Sequence, residues 1–380
     1  MFVDHLTLAD FRSYPEAELE LTPGVCTFVG ANGQGKTNLV EAVEYLSTGA
    51  SHRVTNDEPL VRAGAEYAVV RARVRAGLAD DRALVLELEI RPGRSNRAKL
   101  NRAALPRARE LIGVLRSVVF SPEDLAIVKG DPNQRRRFLD HVVTTRWPRM
   151  AGVRADYDKV LKQRTALLKV IGGKGNRRPD PDALPTLEIW DEQLAGLGAE
   201  LLSARLDTLA DMWPHVQQAY ADIAPTNNRA SGHYRASAPL GDSHDRAELT
   251  EVLLTEMRQR RSEEIARGVS LVGPHRDDVD LILGELPAKG YASHGESWSY
   301  ALALRLAAFV LLQDDGVEPV LVLDDVFAEL DTTRRERLAT RVVQAEQVLI
   351  TAAVAADIPD TLAANRWQVT MGEVRRAPHP

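Results

Sequence analysis

The chain has 380 residues, of which 44% are hydrophobic and 27% are charged, and its formal net charge is −6 at pH 7. This composition is typical of a globular protein with one large domain or two ordinary ones. No apolar run reaches the roughly 18 residues of a membrane-spanning helix, and the first residues lack the basic and apolar segments of a signal peptide. The single cysteine, Cys26, excludes an intrachain disulfide and a cysteine zinc site. We therefore expect a cytoplasmic protein with no membrane partner.

The N-terminal part of the sequence predicts strands around one helix. The apolar run VCTFV at 25–29 is typical of a strand buried on both faces. Apolar positions on one side of 36–47 predict a helix soon after it. Alternating or apolar residues predict further strands at 2–14, 67–74, 83–90 and 117–122, and a strand pair at 98–105 that turns near Asn101-Arg102.

The middle of the sequence is helical in pattern. Helices are predicted at 135–168 with a break near Trp147-Pro148, at 187–223 and at 246–267. The segment 171–185 is rich in Gly, Pro and charge, which predicts the tip of a helical hairpin or short arm. The residues 269–283 are expected to form two short strands around a turn.

The last part of the sequence returns to alternating helices and strands. A helix at 297–312, a strand at 320–323, a helix at 331–345, a strand at 347–351 and a terminal hairpin are predicted. Because both ends are rich in strands, we predict an α/β fold in which 1–121 and 268–380 form one domain. The helical lobe at 122–267 is then an insertion that forms a short antiparallel arm, with the segment 291–312 packing toward it.

A phosphate-binding loop is predicted between the buried strand and the first helix. The sequence Gly30-Ala31-Asn32-Gly33-Gln34-Gly35-Lys36-Thr37 matches the P-loop pattern. Its glycines let backbone N–H groups point at phosphate oxygens. Lys36 can reach the terminal phosphates, and the Thr37 hydroxyl can bind Mg²⁺. The alternative is a Gly-rich turn whose lysine is exposed to solvent.

Two adjacent carboxylates, Asp324 and Asp325, follow the apolar strand at 320–323. Ligand sites in α/β sheets lie at the carboxyl ends of strands. Asp324 is therefore a candidate Mg²⁺ ligand, and Asp325 a candidate to orient or deprotonate the attacking water. The alternative is a turn with an aspartate cap, and Asp331 could equally be the N-cap of the next helix.

The polar cluster Ser293-His294-Gly295-Glu296 opens the helix predicted at 297–312. A helix cap is the simplest interpretation. The Ser293 hydroxyl and the Gly295 N–H are also donors suited to an anionic phosphate at a helix N-terminus.

Together, these motifs resemble an ABC-type P-loop ATPase head, and their wide separation is similar to the SMC-like branch, in which a helical arm fills the gap. Two longer stretches, at 122–140 and 322–338, resemble the signatures of the RecF family of bacterial recombination mediators. The segments LVGPHRDD at 272–279 and ADFRSY at 9–14 fit the same family. The resemblance covers essentially the whole chain.

The resemblance implies a DNA-binding ATPase that uses ATP and Mg²⁺ and forms a homodimer when ATP binds. It implies action at gaps and at junctions between single- and double-stranded DNA, in DNA repair, recombination, replication and the SOS response. RecO and RecR are the implied partners, with RecA filaments placed on gapped DNA as the outcome.

The resemblance also assigns residue roles. Gly30–Thr37 would bind nucleotide, Thr37 and Asp324 would hold Mg²⁺, and Asp325 would serve hydrolysis, slowly because an Asp is a shorter base than a Glu. Ser293, Gly295 and Glu296 would form a signature motif that acts on the nucleotide of the second copy, which the loop at 328–331 would meet.

Some family features have no clear counterpart in this sequence. Many relatives carry Gln where this chain has Glu296. No switch histidine follows 347–351, where Thr351 stands in its place, and a Q-loop residue within 117–125 cannot be chosen.

The residues that contact DNA are less clearly marked. Arg135, Arg136 and Arg137 cluster at a helix start, and Arg177 and Arg178 lie in the polar tip, so all five are candidates. A solvated face or ion pairs with nearby carboxylates are the alternative. For the whole protein, the competing readings are an ABC transporter subunit, another SMC-like head, or a scaffold that binds ATP without hydrolysing it.

Overall fold

The computed structural model describes residues 1–173, 183–224, 229–241, 243–363 and 365–377. They form two compact units. The first comprises Met1–Lys129, Pro214–Ala230 and Leu283–Pro380, and the second comprises Gly130–Trp213 and Ser231–Ile282. The domain boundaries drawn from the sequence, which enclose a lobe at 122–267, stay a prediction.

The secondary structure follows the chain in this order. The strands are β1 Phe2–Phe11, β2 Tyr14–Glu20, β3 Gly24–Val29, β4 Ala68–Gly77, β5 Asp80–Ile90, β6 Arg97–Leu100, β7 Ala103–Ala104, β8 Ser117–Phe120, β9 Ala230–Arg235, β10 Asp278–Leu283, β11 Leu286–Pro287, β12 Val320–Asp324, β13 Gln347–Ala352, β14 Arg366–Thr370 and β15 Glu373–Arg376. The helices are α1 Lys36–Thr48, α2 Leu125–Lys129, α3 Pro132–Arg146, α4 Met150–Ile171, α5 Leu184–Ile223, α6 Arg246–Gln259, α7 Arg261–Arg267, α8 Ala288–Tyr291, α9 His294–Asp314 and α10 Thr332–Val342.

The first unit contains an antiparallel sheet whose strand order is β2-β1-β4-β5-β6-β7. Alternation along β4 explains its two faces, because Val70 and Ala72 are buried whereas Arg71 and Arg73 point outward. The turn expected at Asn101 joins β6 to β7, with a positive φ of 49° at that residue.

A second sheet in the first unit has the order β15-β14-β3-β13-β12-β8. Its strands β14, β3, β13, β12 and β8 are parallel to one another, whereas the edge strand β15 is antiparallel to β14. Apolar side chains from α1 and the antiparallel sheet pack with Cys26 and Phe28 of β3 in one cluster, whereas those from α9 and α10 pack with Val25 and Val29 in another. Because both faces of the sheet are covered at its centre, the strands β3, β13, β12 and β8 are mainly apolar and buried. The carboxyl ends of β3, β12 and β13 lie at one edge of the sheet, where the candidate site residues are found.

The second unit contains α3 and α4, most of α5, and α6 and α7. The helices α4 and α5 run antiparallel. The contacts show this, since Leu168 near the end of α4 packs near Leu187 at the start of α5, while the earlier Tyr157 packs with the later Leu194. The guanidinium of Arg164, also on α4, is fully buried in this unit. It donates to the Asp191 carboxylate at 2.7 Å. The predicted antiparallel arm is therefore confirmed.

Three sequence predictions differ from the fold. The strand expected at 2–14 ends at Phe11, and a turn separates it from β2, which begins at Tyr14. The helix expected at 246–267 is divided into α6 and α7 at Arg260. Only β10 forms from the strand pair expected at 269–283. The first half of that segment is bonded to side chains instead, since the Glu264 carboxylate accepts from the Leu271 N–H at 2.6 Å.

Candidate nucleotide-binding site

The loop between β3 and α1 has the backbone that a phosphate cradle requires. A Cβ on Gly30 would lie 2.2 Å from the carbonyl oxygen of Val369, so only glycine fits there. Gly35 has a φ of 105°, and a Cβ at that position would lie 2.8 Å from Ser13 Oγ. At the loop tip, the Gln34 side chain accepts from the Met371 N–H at 2.7 Å, which ties the loop to the turn between β14 and β15.

Lys36 is buried within this loop. It is 3% exposed, and its Nζ donates to the carbonyl oxygen of Ala31 at 3.3 Å. The Gly-rich-turn alternative required an exposed lysine and is therefore disfavoured. The helix α1 begins at Lys36 without a side-chain cap, so its first N–H groups can bind an anion in the cradle.

Thr37, Asp324 and Thr351 meet at the carboxyl edge of the parallel sheet. Asp324 Oδ1 accepts hydrogen bonds from Thr37 Oγ1 at 2.9 Å and from Thr351 Oγ1 at 2.6 Å. Burial raises the pKa of Asp324, and the bonds from Thr351 and Thr37 oppose that rise. The threonine that stands in place of a switch histidine thus orients the candidate metal ligand.

Asp325 has an unusual backbone conformation. Its φ is 50°, in the left-handed region that non-glycine residues rarely adopt. Its N–H donates to Thr351 Oγ1 at 2.9 Å. Its Oδ1 is buried, with no hydrogen-bond partner among the residues that the structure describes. Strained positions with an unsatisfied polar atom are concentrated at functional sites.

His52 also lies in this site, although no sequence pattern predicted it. Its Nδ1 lies 2.6 Å from Glu44 Oε2 on α1, and its Nε2 lies 3.8 Å from Asp324 Oδ2. Burial opposes protonation, but the charge of Glu44 and its hydrogen bond raise the pKa of His52 to about 9. A histidine in a polar loop has no distinguishing sequence pattern, so only the tertiary structure reveals it.

The signature segment forms a capping box at the start of α9. Ser293 Oγ accepts from the Glu296 N–H at 3.2 Å, and Glu296 Oε2 accepts from the Ser293 N–H at 2.8 Å. The cap interpretation is therefore confirmed. Ser293 remains exposed to solvent, and its hydroxyl hydrogen can still donate to a ligand.

Arg334 connects the signature segment to the loop at 328–331, and sequence reasoning missed it. Asp331 is the N-cap of α10, where it accepts from the Arg334 N–H at 3.0 Å and forms an ion pair with the Arg334 guanidinium. The same guanidinium donates to Ser299 Oγ at 3.0 Å. It also packs on Gly295, where a Cβ would lie 3.0 Å from Nη2.

The segment in which a Q-loop was expected is also joined to the signature helix. Asp124 accepts from Arg305 of α9 through both carboxylate oxygens, at 2.6 and 3.1 Å. This bidentate pair links the end of β8 to α9, but it singles out no Q-loop residue.

The candidate DNA-contacting arginines differ in their surroundings. Arg135 is buried in an ion pair with Asp278, which it contacts at 2.7 and 2.9 Å, so the ion-pair alternative applies and we remove it from the candidates. Arg136 is half-buried and donates to the Asp277 carbonyl at 2.7 Å, whereas Arg137 is exposed. The candidates Arg177 and Arg178 lie outside the described residues.

The site fits a magnesium ion. Mg²⁺ prefers a few hard oxygen ligands together with water and substrate phosphates. Thr37 Oγ1 and Asp324 Oδ1 lie 2.9 Å apart beside the phosphate cradle and supply that type of ligand. In the described residues no cluster of three or more His, Cys, Asp or Glu side chains could hold a metal without such a substrate.

A P-loop on a parallel sheet, an aspartate pair at the end of another strand of the same sheet and a serine-capped signature helix define an ABC-type nucleotide-binding head. Comparisons with known proteins agree with this class. The family described as "RecF/RecN/SMC N terminal domain" matches residues 2–371. The DNA replication and repair protein RecF of Cutibacterium acnes is 59% identical over 386 aligned residues, covering 98% of this chain and 98% of that protein.

Solved structures give the same result. The recombination mediator protein RecF-ATP in the RecFOR pathway superposes with a TM-score of 0.88 at 29% identity, covering 99% of this chain and 98% of that one. The Smc head domain from Pyrococcus furiosus superposes with a TM-score of 0.54 at 17% identity, over 99% of this chain and 96% of that one, and supports the fold alone.

The chain belongs to the RecF/RecN/SMC family, in its RecF branch. This is a family of ABC-type ATPases, so the fold class predicted from the sequence is confirmed. None of the helices described for this chain is apolar over a length that could cross a membrane.

Proposed function

We propose that the chain is an ATP-dependent DNA-binding protein that dimerises when it binds ATP. It acts in the cytoplasm in the recombinational repair of gapped DNA, where it helps RecO and RecR load RecA. The observation that carries the ATP-binding step is the meeting of Lys36, Thr37 and Asp324 at one sheet edge. The assignment to repair rests on family membership and on the named roles of the relatives.

Nucleotide binding uses the P-loop and the start of α1. Backbone N–H groups from Gly30 to Lys36 and the helix N-terminus stabilise the phosphate charge. Lys36 exchanges its weak bond to the Ala31 carbonyl for a charge-assisted bond to the terminal phosphates. Thr37 and Asp324 would hold Mg²⁺, which would supply positive charge to offset the charge of the phosphates.

Hydrolysis uses a water molecule in line with the γ-phosphate. The water oxygen bonds to phosphorus, the bond from phosphorus to the β–γ bridging oxygen breaks, and ADP leaves with that electron pair. Asp325 accepts the proton of the water through its buried Oδ1, which has no hydrogen-bond partner in the described residues. Its short side chain favours a slow reaction, which DNA stimulates weakly.

Two copies are required for a complete site. The Ser293 hydroxyl and the Gly295 N–H, at the mouth of α9, donate to the γ-phosphate held by the other copy. ATP therefore has contacts in the dimer that ADP lacks, and this difference in contacts links dimerisation to the nucleotide. The exposed Ser293 supports this proposal.

A scaffold that binds ATP without hydrolysing it is the second candidate, since the fold does not depend on Asp325. Release of phosphate with and without DNA distinguishes the two. An ABC transporter subunit is disfavoured, because the signature lies far along the chain from the P-loop and because the relatives are repair proteins.

The deciding experiment is light scattering of the chain with ATP or ADP, each with and without gapped DNA. We expect a dimer with ATP, a monomer with ADP, and DNA binding that requires ATP. The Ser293→Arg variant should bind ATP but stay monomeric, because the larger side chain blocks the interface. Identical masses with ATP and ADP would contradict the proposal.

A further inference from the structure

A strongly basic segment of the first unit, 91–109, has no part in the mechanism above. The formal net charge of the chain is −6, yet this segment carries basic side chains and no Asp or Glu. Basic residues gathered in one place are the electrostatic mark of an anionic partner. We call the segment the basic edge, and its basic residues are Arg91, Arg94, Arg97, Lys99, Arg102, Arg107 and Arg109.

The fold places the basic edge at one side of the antiparallel sheet. The strands β6 and β7 come last in the order of that sheet, and β6 pairs with β5 on one side and with β7 on the other. After β7 the chain stays beside β6, since the Leu105 N–H donates to the Ala98 carbonyl at 2.9 Å. Arg107 is thereby brought back toward the end of β6 that begins at Arg97.

The turns at the two ends of β6 have a defined backbone. In the first turn, the Arg94 N–H donates to the Arg91 carbonyl at 3.0 Å, and the Asn96 side chain accepts from the Arg91 N–H at 2.8 Å. In the second turn, Asn101 and Arg102 have φ angles of 49° and 70°, the left-handed pair that closes a two-residue hairpin. A fixed backbone lowers the cost of ordering these segments in a complex.

Three arginines of the basic edge have no counter-charge in the described part of the chain. Arg94, Arg102 and Arg107 are exposed, and none forms an ion pair with a described carboxylate. Lys99 on β6 differs, because it pairs with Glu87 at 2.7 Å. An unpaired guanidinium matches the oxygens of a phosphate in both geometry and charge.

Protection of the sheet edge does not explain these positions. Charged side chains on an edge strand prevent it from pairing with another chain. The edge strand itself, β7, consists of Ala103 and Ala104, which are both exposed. Arg94, Arg102 and Arg107 lie in the turns and the connection around the strands instead, so their charge surrounds the edge and does not line it.

We propose that the basic edge binds the phosphate backbone of the duplex part of gapped DNA. This inference rests on the proposed function, in which the chain binds DNA. A duplex carries one negative charge per roughly 1.7 Å of its axis, and β6 is roughly 10 Å long. Several phosphates therefore lie within the span of the arginines at its two ends. Contacts to phosphates carry no base sequence information, so the surface serves any gap.

The composition of the basic edge favours duplex over single-stranded DNA. Surfaces that bind single strands combine basic grooves with aromatic side chains on which the bases stack. The segment 91–109 contains no Phe, Tyr, Trp or His, so it offers positive charge without a stacking surface. The duplex also has the greater charge per unit length.

The test combines Arg94→Gln, Arg102→Gln and Arg107→Gln in one chain, which removes three charges and keeps the side chains polar. DNA affinity is measured with ATP at several salt concentrations, for duplex and single-stranded oligonucleotides of equal length. Each lost phosphate contact lowers the slope of log affinity against log salt concentration by about 0.9. The slope for the duplex should therefore fall in magnitude by about two to three. The parent should prefer the duplex, and the triple variant should lose most of that preference.

The control combines Arg82→Gln, Arg246→Gln and Arg267→Gln, three exposed arginines that each pair with a carboxylate. Because it loses the same formal charge as the test variant, a general effect of net charge is the same in both. The control should keep the parent's slope. ATP affinity checks the folding of both variants, since none of the six residues belongs to the nucleotide site.

A folded test variant that keeps the parent's slope overturns the inference, as does one whose slope falls equally with single-stranded DNA. Arg94→Gln alone covers the case in which the triple variant does not fold, and its slope for the duplex should fall by about one. An unchanged slope in that variant overturns the inference too. Failure of the proposed function is seen in the parent itself, which would then bind no DNA with ATP, and that result overturns both.

Discussion

Thr37 and Asp324 are 287 positions apart in sequence, yet Thr37 Oγ1 donates to Asp324 Oδ1 at 2.9 Å. The contact joins the P-loop helix to the end of β12. It depends on β13, which pairs with β3 on one side and β12 on the other. The candidate metal site is therefore a product of strand order.

Lys36→Ala should remove tight nucleotide binding. The buried Nζ is the charge that the cradle offers to the terminal phosphates, and losing one charge-assisted contact lowers affinity by about 10- to 100-fold. Isothermal titration with ATP measures the change. Lys99→Ala is the control, because Lys99 pairs with Glu87 on the solvent face of the antiparallel sheet. Equal affinities of Lys36→Ala and the parent would contradict the role of the loop.

Thr351→Val should weaken Mg²⁺ binding in the presence of ATP. Valine has the shape of threonine but cannot donate to Asp324, and loss of an outer partner of a metal ligand typically costs about 10- to 100-fold in metal affinity. Titration with Mn²⁺ followed by electron paramagnetic resonance measures it. Thr340→Val is the matched control, since among the described residues that hydroxyl donates to the Glu336 carbonyl on α10 and is remote from Asp324 in the sheet. A normal metal affinity in Thr351→Val would show that Asp324 needs no such support.

Arg334→Ala should impair ATP-dependent dimerisation without changing the affinity of the monomer for ATP. The guanidinium supports Gly295 and holds Asp331, and we expect dimer affinity to fall by about tenfold when these hydrogen bonds are lost. Sedimentation with ATP measures the dimer. Arg334→Lys should retain part of the dimer affinity that Arg334→Ala loses. Arg341→Ala, on the same helix, should behave as the parent, and a parent-like Arg334→Ala would contradict the prediction.

Arg135→Met should destabilise the second unit. Removing one partner of a buried ion pair leaves Asp278 under-compensated, which costs about 3 kcal/mol. Urea denaturation measures the loss. Arg137→Met is the neighbouring control and should change the unfolding free energy by less than about 0.5 kcal/mol.

The same Arg137→Met variant tests a DNA contact. If Arg137 contacts a phosphate, the slope of log DNA affinity against log salt concentration should fall in magnitude by about one. An unchanged slope would place the DNA elsewhere.

His275 should make the stability of the chain sensitive to mild acid. Burial lowers the pKa of His275 to about 4, with Arg276 adding to the effect, whereas the unfolded value is about 6.5. The unfolded state therefore binds the proton first, so stability is complete above about pH 6.5 and falls as the pH approaches 4, by up to about 3 kcal/mol.

Urea denaturation between pH 7 and 4 measures this loss, and His275→Gln should flatten the profile. His244→Gln is the control, because His244 is exposed and pairs with Asp207. If His275→Gln and the parent lose stability in parallel, burial of this histidine is not the cause.

The sequence by itself determined the local parts of this protein. The glycines and Lys36 of the P-loop, the apolar strand before Asp324 and the capping pair Ser293 and Glu296 are all formed by neighbours in the chain, so a spacing pattern reveals them. The helical middle was predicted for the same reason, since its apolar spacing recurs every three or four residues.

Only the tertiary structure decided which side chains share a site. His52, Thr351 and Arg334 meet their partners through strand order and helix packing, which leave no pattern in nearby residues. Arg135 is the opposite case, in which a sequence pattern was misleading. Its position in a basic cluster predicted a contact with DNA, but the fold buries it in an ion pair with Asp278. A carboxylate more than a hundred residues away decides the charge that such a side chain meets, and local sequence cannot contain that information.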